Sequence, residues 1–226
     1  MNRLGDEKRR LITKMHATSS ISEQFKNIRT AIEFSGVDKT FQTILITSPE
    51  PMSGKSTISA NLAIVYAQKG KKTLLVDGDM RKPTVHKTFN QSIFKGLSTS
   101  LTGDSKVSDN FQKTEIENLF ILTSGPIPPN PNELLGSKRM GAVLKELKTQ
   151  FDVIIIDSPP VTVVSDALVL ASYTDGVLFV FRNQVTMKNK AKQAIEQIKM
   201  TRVPIIGAIL NGEQEKQHNN YYYAYK

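Results

Sequence analysis

Thr43-Ile44-Leu45-Ile46-Thr47-Ser48-Pro49-Glu50-Pro51-Met52-Ser53-Gly54-Lys55-Ser56-Thr57 runs from an apolar, β-branched segment into a glycine, a lysine and two hydroxyls. Residues 43–47 read as a buried strand and residues 56–68 as a helix closed by Gly70, so the Gly-Lys-Ser-Thr string occupies the turn between them. A turn of this kind binds phosphate, because backbone N–H groups and the positive end of the following helix face a polyphosphate. In this reading Lys55 balances the outer phosphates and Ser56 ligates Mg²⁺, with Ser53, Gly54 and Thr57 completing the cradle. Gly54 lets the backbone approach closely. Only the end of the usual G-x-x-x-x-G-K-[ST] pattern is present, since Pro49 stands where the first glycine belongs. The competing reading is a capped helix with a stray lysine.

Downstream, β-branched runs at 73–76, 119–123, 153–157, 176–181 and 205–210 alternate with amphipathic stretches at 141–149, 166–172 and 188–200. That alternation predicts βαβ units: an α/β fold, doubly wound, with a mainly parallel sheet covered by helices. A chain of 226 residues can bury one sizeable core, so one domain over 1–212 is expected. Ahead of the alternation, residues 19–34 place Ile21, Phe25, Ile28 and Ile32 at helical spacing behind a Ser-rich start. Glu23, Lys26 and Arg29 fall on another face of that helix. Behind it, residues 213–226 stay polar until Tyr221-Tyr222-Tyr223-Ala224-Tyr225 and carry no folding pattern, which reads as a flexible tail. The proline-rich stretch 125–133 reads as a rigid connector, with a subunit contact as the alternative.

Two further strands end in acids. Leu74-Leu75-Val76-Asp77-Gly78-Asp79-Met80-Arg81-Lys82-Pro83 delivers Asp77 and Asp79 two residues apart, on one side if extended there. Two carboxylates beside Mg²⁺ and phosphates can divide the labour, one accepting a proton from an incoming hydroxyl and the other holding the metal or its waters. Arg81 and Lys82 add positive charge where a transferring phosphoryl group develops its own. The plainer reading of the same residues is a turn with helix-capping aspartates. Val153-Ile154-Ile155-Ile156-Asp157-Ser158-Pro159-Pro160 is an apolar strand ending in an aspartate, a Walker-B-like pattern that supplies a further Mg²⁺ contact. His16, His86 and His218 lack any ligand spacing, so a histidine metal site has little support.

Composition narrows the classes. No apolar stretch approaches the roughly 20 residues that cross a bilayer, and the start of the chain has no secretory pattern. The absence of cysteine excludes disulfides and thiolate metal sites and fits a cytoplasmic protein. A net charge of +9 favours polyanions in principle, but scattered lysines such as Lys69, Lys71, Lys188 and Lys192 read as a solvated surface, and no nucleic-acid partner is expected. Lys8-Arg9-Arg10 is the better candidate for a membrane-proximal or partner contact.

Together these strings resemble the bacterial tyrosine kinases of capsular and exopolysaccharide synthesis, in the stand-alone cytoplasmic form of the Gram-positive type. The resemblance covers nearly the whole chain and is most specific in Asp77-Gly78-Asp79-Met80-Arg81-Lys82-Pro83-Thr84 and Gly125-Pro126-Ile127-Pro128-Pro129-Asn130-Pro131. It implies a P-loop NTPase fold of the MinD-like type and an ATP- and Mg²⁺-dependent protein-tyrosine kinase. Such a kinase phosphorylates other proteins and its own C-terminal cluster, here Tyr221, Tyr222, Tyr223 and Tyr225. Carried over residue by residue, Lys55, Asp77, Asp79 and Arg81 are catalytic, with Asp77 the base. Ser56, Asp79 and Asp157 form the metal shell, and Asn211 contacts adenine.

The resemblance also implies a transmembrane activator supplied as a separate chain, which holds the kinase at the inner face of the membrane. It further implies a homo-oligomeric ring built on an E-x-x-R-x-x-R helix, in which one subunit's tail reaches its neighbour's site. Here that helix reads Glu23-x-x-Lys26-x-x-Arg29, and lysine cannot reproduce a bidentate fork. A second departure is Met52, where the family usually has glycine. If that position needs φ > 0, methionine costs about 1 kcal/mol. The alternatives are a MinD- or ParA-like ATPase, disfavoured by Glu50 at the place of its signature lysine, and a catalytically weakened regulatory partner of polysaccharide assembly.

Overall fold

The computed structural model describes residues 11–36 and 40–212. The basic cluster at 8–10 and the tail 213–226, with all four predicted acceptor tyrosines, lie outside the described residues. Seven strands, β1 (Thr43–Thr47), β2 (Thr73–Asp77), β3 (Gln112–Lys113), β4 (Leu119–Leu122), β5 (Val153–Asp157), β6 (Gly176–Arg182) and β7 (Ile205–Asn211), form one sheet. Their order is β3-β4-β2-β5-β1-β6-β7, parallel throughout except for the short edge strand β3.

Alternate residues of each central strand serve opposite faces, as the pleat requires. Ile44, Ile46, Leu75 and Ile155 join one core with α3 (Lys55–Gln68), while Leu45, Leu74, Val76, Ile154 and Ile156 join the other with α7 (Lys138–Lys148), α8 (Asp166–Ala171) and α9 (Lys188–Lys199). Both faces are covered, which is why β1, β2 and β5 are buried at every position and read as continuous apolar runs. α3 is itself buried on nearly all sides, because α1 (Ile12–Met15) and α2 (Ser20–Ser35) pack over it.

The predicted strands and long helices are all present, with ends that shift by at most three residues. The predicted helix at 141–149 starts earlier, at Lys138, behind Ser137 as N-cap. Four short α-helices were not legible: α1, α4 (Val85–Phe89), α5 (Leu97–Thr102) and α6 (Pro131–Leu135). The last corrects the reading of 125–133 as connector alone, since Pro131 opens α6 at the position where a missing N–H costs nothing.

α2 confirms the helix expected at 19–34, with Ser19 as N-cap accepting from the Ser22 amide at 3.2 Å. Phe25 and Ile32 are buried as predicted, whereas Ile21, in the first turn, is 47% exposed. The expected polar face is corrected too. Glu23 and Lys26 pair with each other at 2.7 Å, but Arg29 turns inward and donates to the Val65 carbonyl of α3 at 3.0 Å. Within this chain Arg29 ties α2 to α3 through that hydrogen bond.

Candidate active site

β5 lies between β2 and β1, so the three motifs emerge side by side at the C-terminal edge of the sheet. Asp77 stands opposite Asp157, and Ile46 of β1 stands opposite Asp157 on its other side. This is where open parallel sheets bind ligands, since the strand ends leave a crevice that loops can line. A cleft of about 890 Å³ opens there, lined among others by Gly54, Lys55, Ser56, Thr57, Asp79, Arg81, Lys82 and Asn211. A second cavity, at the opposite edge between Phe41, Tyr66 and Phe151, contains none of the predicted site residues.

The phosphate loop has the backbone its chemistry needs. Gly54 has φ 91°, and a Cβ there would lie 2.1 Å from Asn211 Nδ2, so two independent constraints demand glycine. Met52 has φ 61°, which fulfils the condition attached to its presence: the position does require the left-handed region, at a cost of about 1 kcal/mol for a non-glycine residue. Lys55 is only 8% exposed and, among the described residues, has no ion-pair partner. A buried ammonium in that condition calls for an anion. The phosphates of a nucleotide fit it.

Residues that sequence reasoning passed over hold this loop. Glu50 accepts from Thr186 Oγ1 at 2.5 Å and faces Lys190 at 3.8 Å, and Arg182 donates to the Met52 carbonyl at 3.1 Å. Asn211 lines the cleft as expected of an adenine contact, and its amide also donates to the Ser53 carbonyl at 2.9 Å. No local signal marks the 182–190 segment. Only the adjacency of β6 to β1 brings it to the loop.

The acidic residues divide by depth. Asp79 lines the cleft, and its Oδ1 accepts from the amides of Arg81 and Lys82 at 3.2 and 3.0 Å, the turn that the plainer sequence reading anticipated. Asp77 is fully buried beneath it. Its Oδ2 accepts from the amides of Thr84 and Val85 at 2.8 and 2.9 Å at the start of α4, while Oδ1 has no hydrogen-bond partner among the described residues. Burial, then the neighbouring Asp157 carboxylate, push Asp77 up to about 7 despite those two amides. Asp157 is also buried, with Oδ1 accepting from Ser59 Oγ at 3.1 Å. Gly78 permits this stacking: its amide donates to the Asp157 carbonyl at 2.8 Å, and a Cβ would meet that oxygen at the same distance.

Arg81 corrects an expectation. It lines the cleft, but its guanidinium forks onto the buried carboxylate of Asp166 at 2.7 and 3.1 Å, which Asn132 of α6 also reaches at 3.1 Å. Arg81 is thus anchored to α8 and α6 and is not a free cation over the phosphates.

Among the described residues no three acids or histidines converge on one point. The expected shell of Ser56, Asp79 and Asp157 is therefore not a self-sufficient cage. Mg²⁺ does not need one, because it binds through one or two carboxylates plus substrate phosphates and keeps several waters. The orphaned Asp77 Oδ1, the close-packed acids and the cradle with its buried lysine fit a magnesium nucleotide.

An AAA domain family model matches residues 41–206. The chain is 42% identical over 226 residues to tyrosine-protein kinase YwqD of Bacillus subtilis, covering 100% of this chain and 95% of that one. It is 41% identical to the putative tyrosine-protein kinase CapB of Staphylococcus aureus, covering 92% and 91%. Among solved structures, the chimerical protein CapA2B2 superposes with a TM-score of 0.86 at 45% identity, over 88% of each chain. At the level of fold, MinD from Pyrococcus horikoshii in complex with Mg-ADP matches with a TM-score of 0.67 at 26% identity, over 78% of this chain and 73% of that one. The likeness to MinD is one of fold over about three quarters of the chain, and likeness to named tyrosine-protein kinases along the whole chain places the protein in the family of bacterial tyrosine-protein kinases.

Proposed function

We propose that the chain is an ATP- and Mg²⁺-dependent protein-tyrosine kinase that phosphorylates its own C-terminal cluster, Tyr221, Tyr222, Tyr223 and Tyr225, and thereby regulates capsular or exopolysaccharide synthesis and export. The observation that carries this reading is the convergence of Lys55, Ser56 and Asp79 on one cleft, directly above the paired acids Asp77 and Asp157. Lys55 and the amides of the cradle hold the phosphates of ATP, with Ser56, Asp79 and Asp157 in the magnesium shell. Mg²⁺, when bound, neutralises charge on the phosphates. Asp77, lifted close to neutral pH, accepts the proton of the tyrosine hydroxyl. Arg81, held by Asp166, forms a fixed part of the cleft wall. Asn211 supports the purine side.

The position of Gly212 supports the choice of acceptor. It lines the cleft, so the sequence that follows starts at the mouth of the site, and the stretch to Tyr221 spans about 30 Å if extended. That reach serves either the chain's own cleft or a neighbour's. Assembly of copies would use α2, with Glu23, Lys26 and Arg29. A transmembrane activator on a separate chain would keep the protein at the inner face of the membrane; among the described residues no helix is long and apolar enough to cross one.

The test is labelling of tyrosine by γ-labelled ATP and Mg²⁺ in the full chain, with its activating partner segment, against Lys55→Met. A loss of at least about 10³-fold in the variant is expected. Equal labelling in both would sink the mechanism, and none in either would favour a passive regulatory partner.

A further inference from the structure

Met52 holds a left-handed backbone with its side chain 83% exposed, so no packing of that side chain accounts for the conformation. What fixes it is the carbonyl. Met52 O accepts from Arg182 at 3.1 Å, and the next carbonyl, Ser53 O, accepts from Asn211 at 2.9 Å. Arg182 and Asn211 are partners across the last rung of β6 and β7, so two neighbouring side chains on one sheet edge grip two consecutive carbonyls of the phosphate loop. In a trans peptide the carbonyl and the following N–H point in opposite directions. Drawing these two carbonyls toward Arg182 and Asn211, which themselves line the cleft, turns the amides of Ser53 and Gly54 away from those side chains, and among the described residues those amides find no acceptor. The segment behind Arg182 tightens the same hold. Its amide donates to Thr186 Oγ1 at 2.9 Å, which in turn donates to Glu50.

We infer that Arg182 is a positioning residue of the phosphate loop, acting through the Met52 carbonyl to keep the Ser53 and Gly54 amides aimed at phosphate. The arrangement compensates for methionine at a position that favours glycine: without the grip, a methionine peptide relaxes out of the left-handed region, whereas glycine occupies it as readily as any other. The inference rests on the nucleotide reading of the cleft, and it assigns Arg182 to the loop and not to the nucleotide itself.

The experiment measures Mg-ADP affinity by titration calorimetry on the full chain, for Arg182→Ala in the wild-type and in the Met52→Gly backgrounds, with Arg182→Lys as the conservative variant. Arg182→Ala is expected to weaken binding about tenfold with Met52 present and less than about threefold in the Met52→Gly background. Arg182→Lys should keep most of the affinity, because one donor suffices for one carbonyl. Equal losses in the two backgrounds would place Arg182 on the nucleotide and overturn the inference, as would no loss in either. Tyrosine labelling is read separately. A wild-type protein that binds Mg-ADP but labels no tyrosine defeats the kinase reading alone, and one that does not bind Mg-ADP defeats both.

Discussion

The phosphate loop and the acidic turn at Asp77 to Lys82 lie side by side in one cleft, and they differ in what holds the backbone: nearby carboxylates cap the turn's amides, whereas the loop adds distant side chains to its local Ser48 and Ser53 contacts with the Glu50 carbonyl. In the acidic turn four amides are capped nearby: Asp79 takes the amides of Arg81 and Lys82, and Asp77 takes those of Thr84 and Val85. The phosphate loop breaks local rules at Pro49 and Met52 and is kept in place by Arg182, Thr186 and Asn211, all more than 120 residues away in sequence. The turn's amides are capped by its own carboxylates, with Arg81 adding one anchor to Asp166. A loop clamped from outside depends on the sheet edge that clamps it, and its geometry is open to adjustment through that edge.

The sharpest way to strain this contrast is at Asp77, where the turn's capping duty and the proposed chemistry share one carboxyl. Asp77→Asn keeps an oxygen for the Thr84 and Val85 amides but cannot take a proton, so kcat should fall about 10²- to 10³-fold while the fold persists. The same variant carries a pH signature in metal-free buffer. In the native state Asp77 is raised to about 7 from 3.8, so the protonated form is favoured by folding. The stability that this gives is fully present below the unfolded value and is lost as pH rises through the folded one. Asp77→Asn should therefore melt several degrees above wild type at pH 8, with the gap closing by pH 4. A gap independent of pH would show that the carboxyl does not titrate there.

A smaller effect is expected at the anchor of the acidic turn. Arg81→Ala leaves Asp166 buried without its counter-ion, but the arginine side chain is 42% exposed and solvent screens part of the pair. A loss of about 1–2 kcal/mol in urea unfolding is the expected result, and Asp166→Asn in the same background should recover much of it. Smallest of all is Met52→Gly, which removes the left-handed penalty and should stabilise by no more than about 1 kcal/mol. Destabilisation by that change would mean that the methionine side chain contributes more than its exposure suggests.

Much of the fold was legible because the chain is locally consistent. Five-residue apolar strands, long amphipathic helices and the Ser19 cap each declare themselves within a short window. Leu97–Thr102, in contrast, reads Leu-Ser-Thr-Ser-Leu-Thr, with too little apolar periodicity to mark a helix, and the two residues of β3 are strand only because β4 lies beside them. Of the candidate site, Gly54, Lys55, Ser56 and Asp79 were found from motif and placement and Asn211 from the family resemblance, and they share one cleft. Arg29 and Arg81 were found as charges but assigned outward roles. Sequence spacing says which face of a helix or turn a side chain leaves from; it does not say that the Val65 carbonyl or the Asp166 carboxylate waits within reach.

What the sequence determined by itself was therefore the parts: strands that must be buried, a loop whose lysine and hydroxyls suit phosphate, and acids at strand ends. Their identity is written in short-range pattern, where backbone propensity and burial act residue by residue. The tertiary structure alone decided the order β2-β5-β1-β6-β7. That order buries Asp77 and stacks it against Asp157, which together lift its proton affinity, and it sets Arg182 and Asn211 over the loop carbonyls. Electrostatic coupling and hydrogen bonding act over a few ångströms of space, and only strand order converts more than a hundred residues of sequence into that distance.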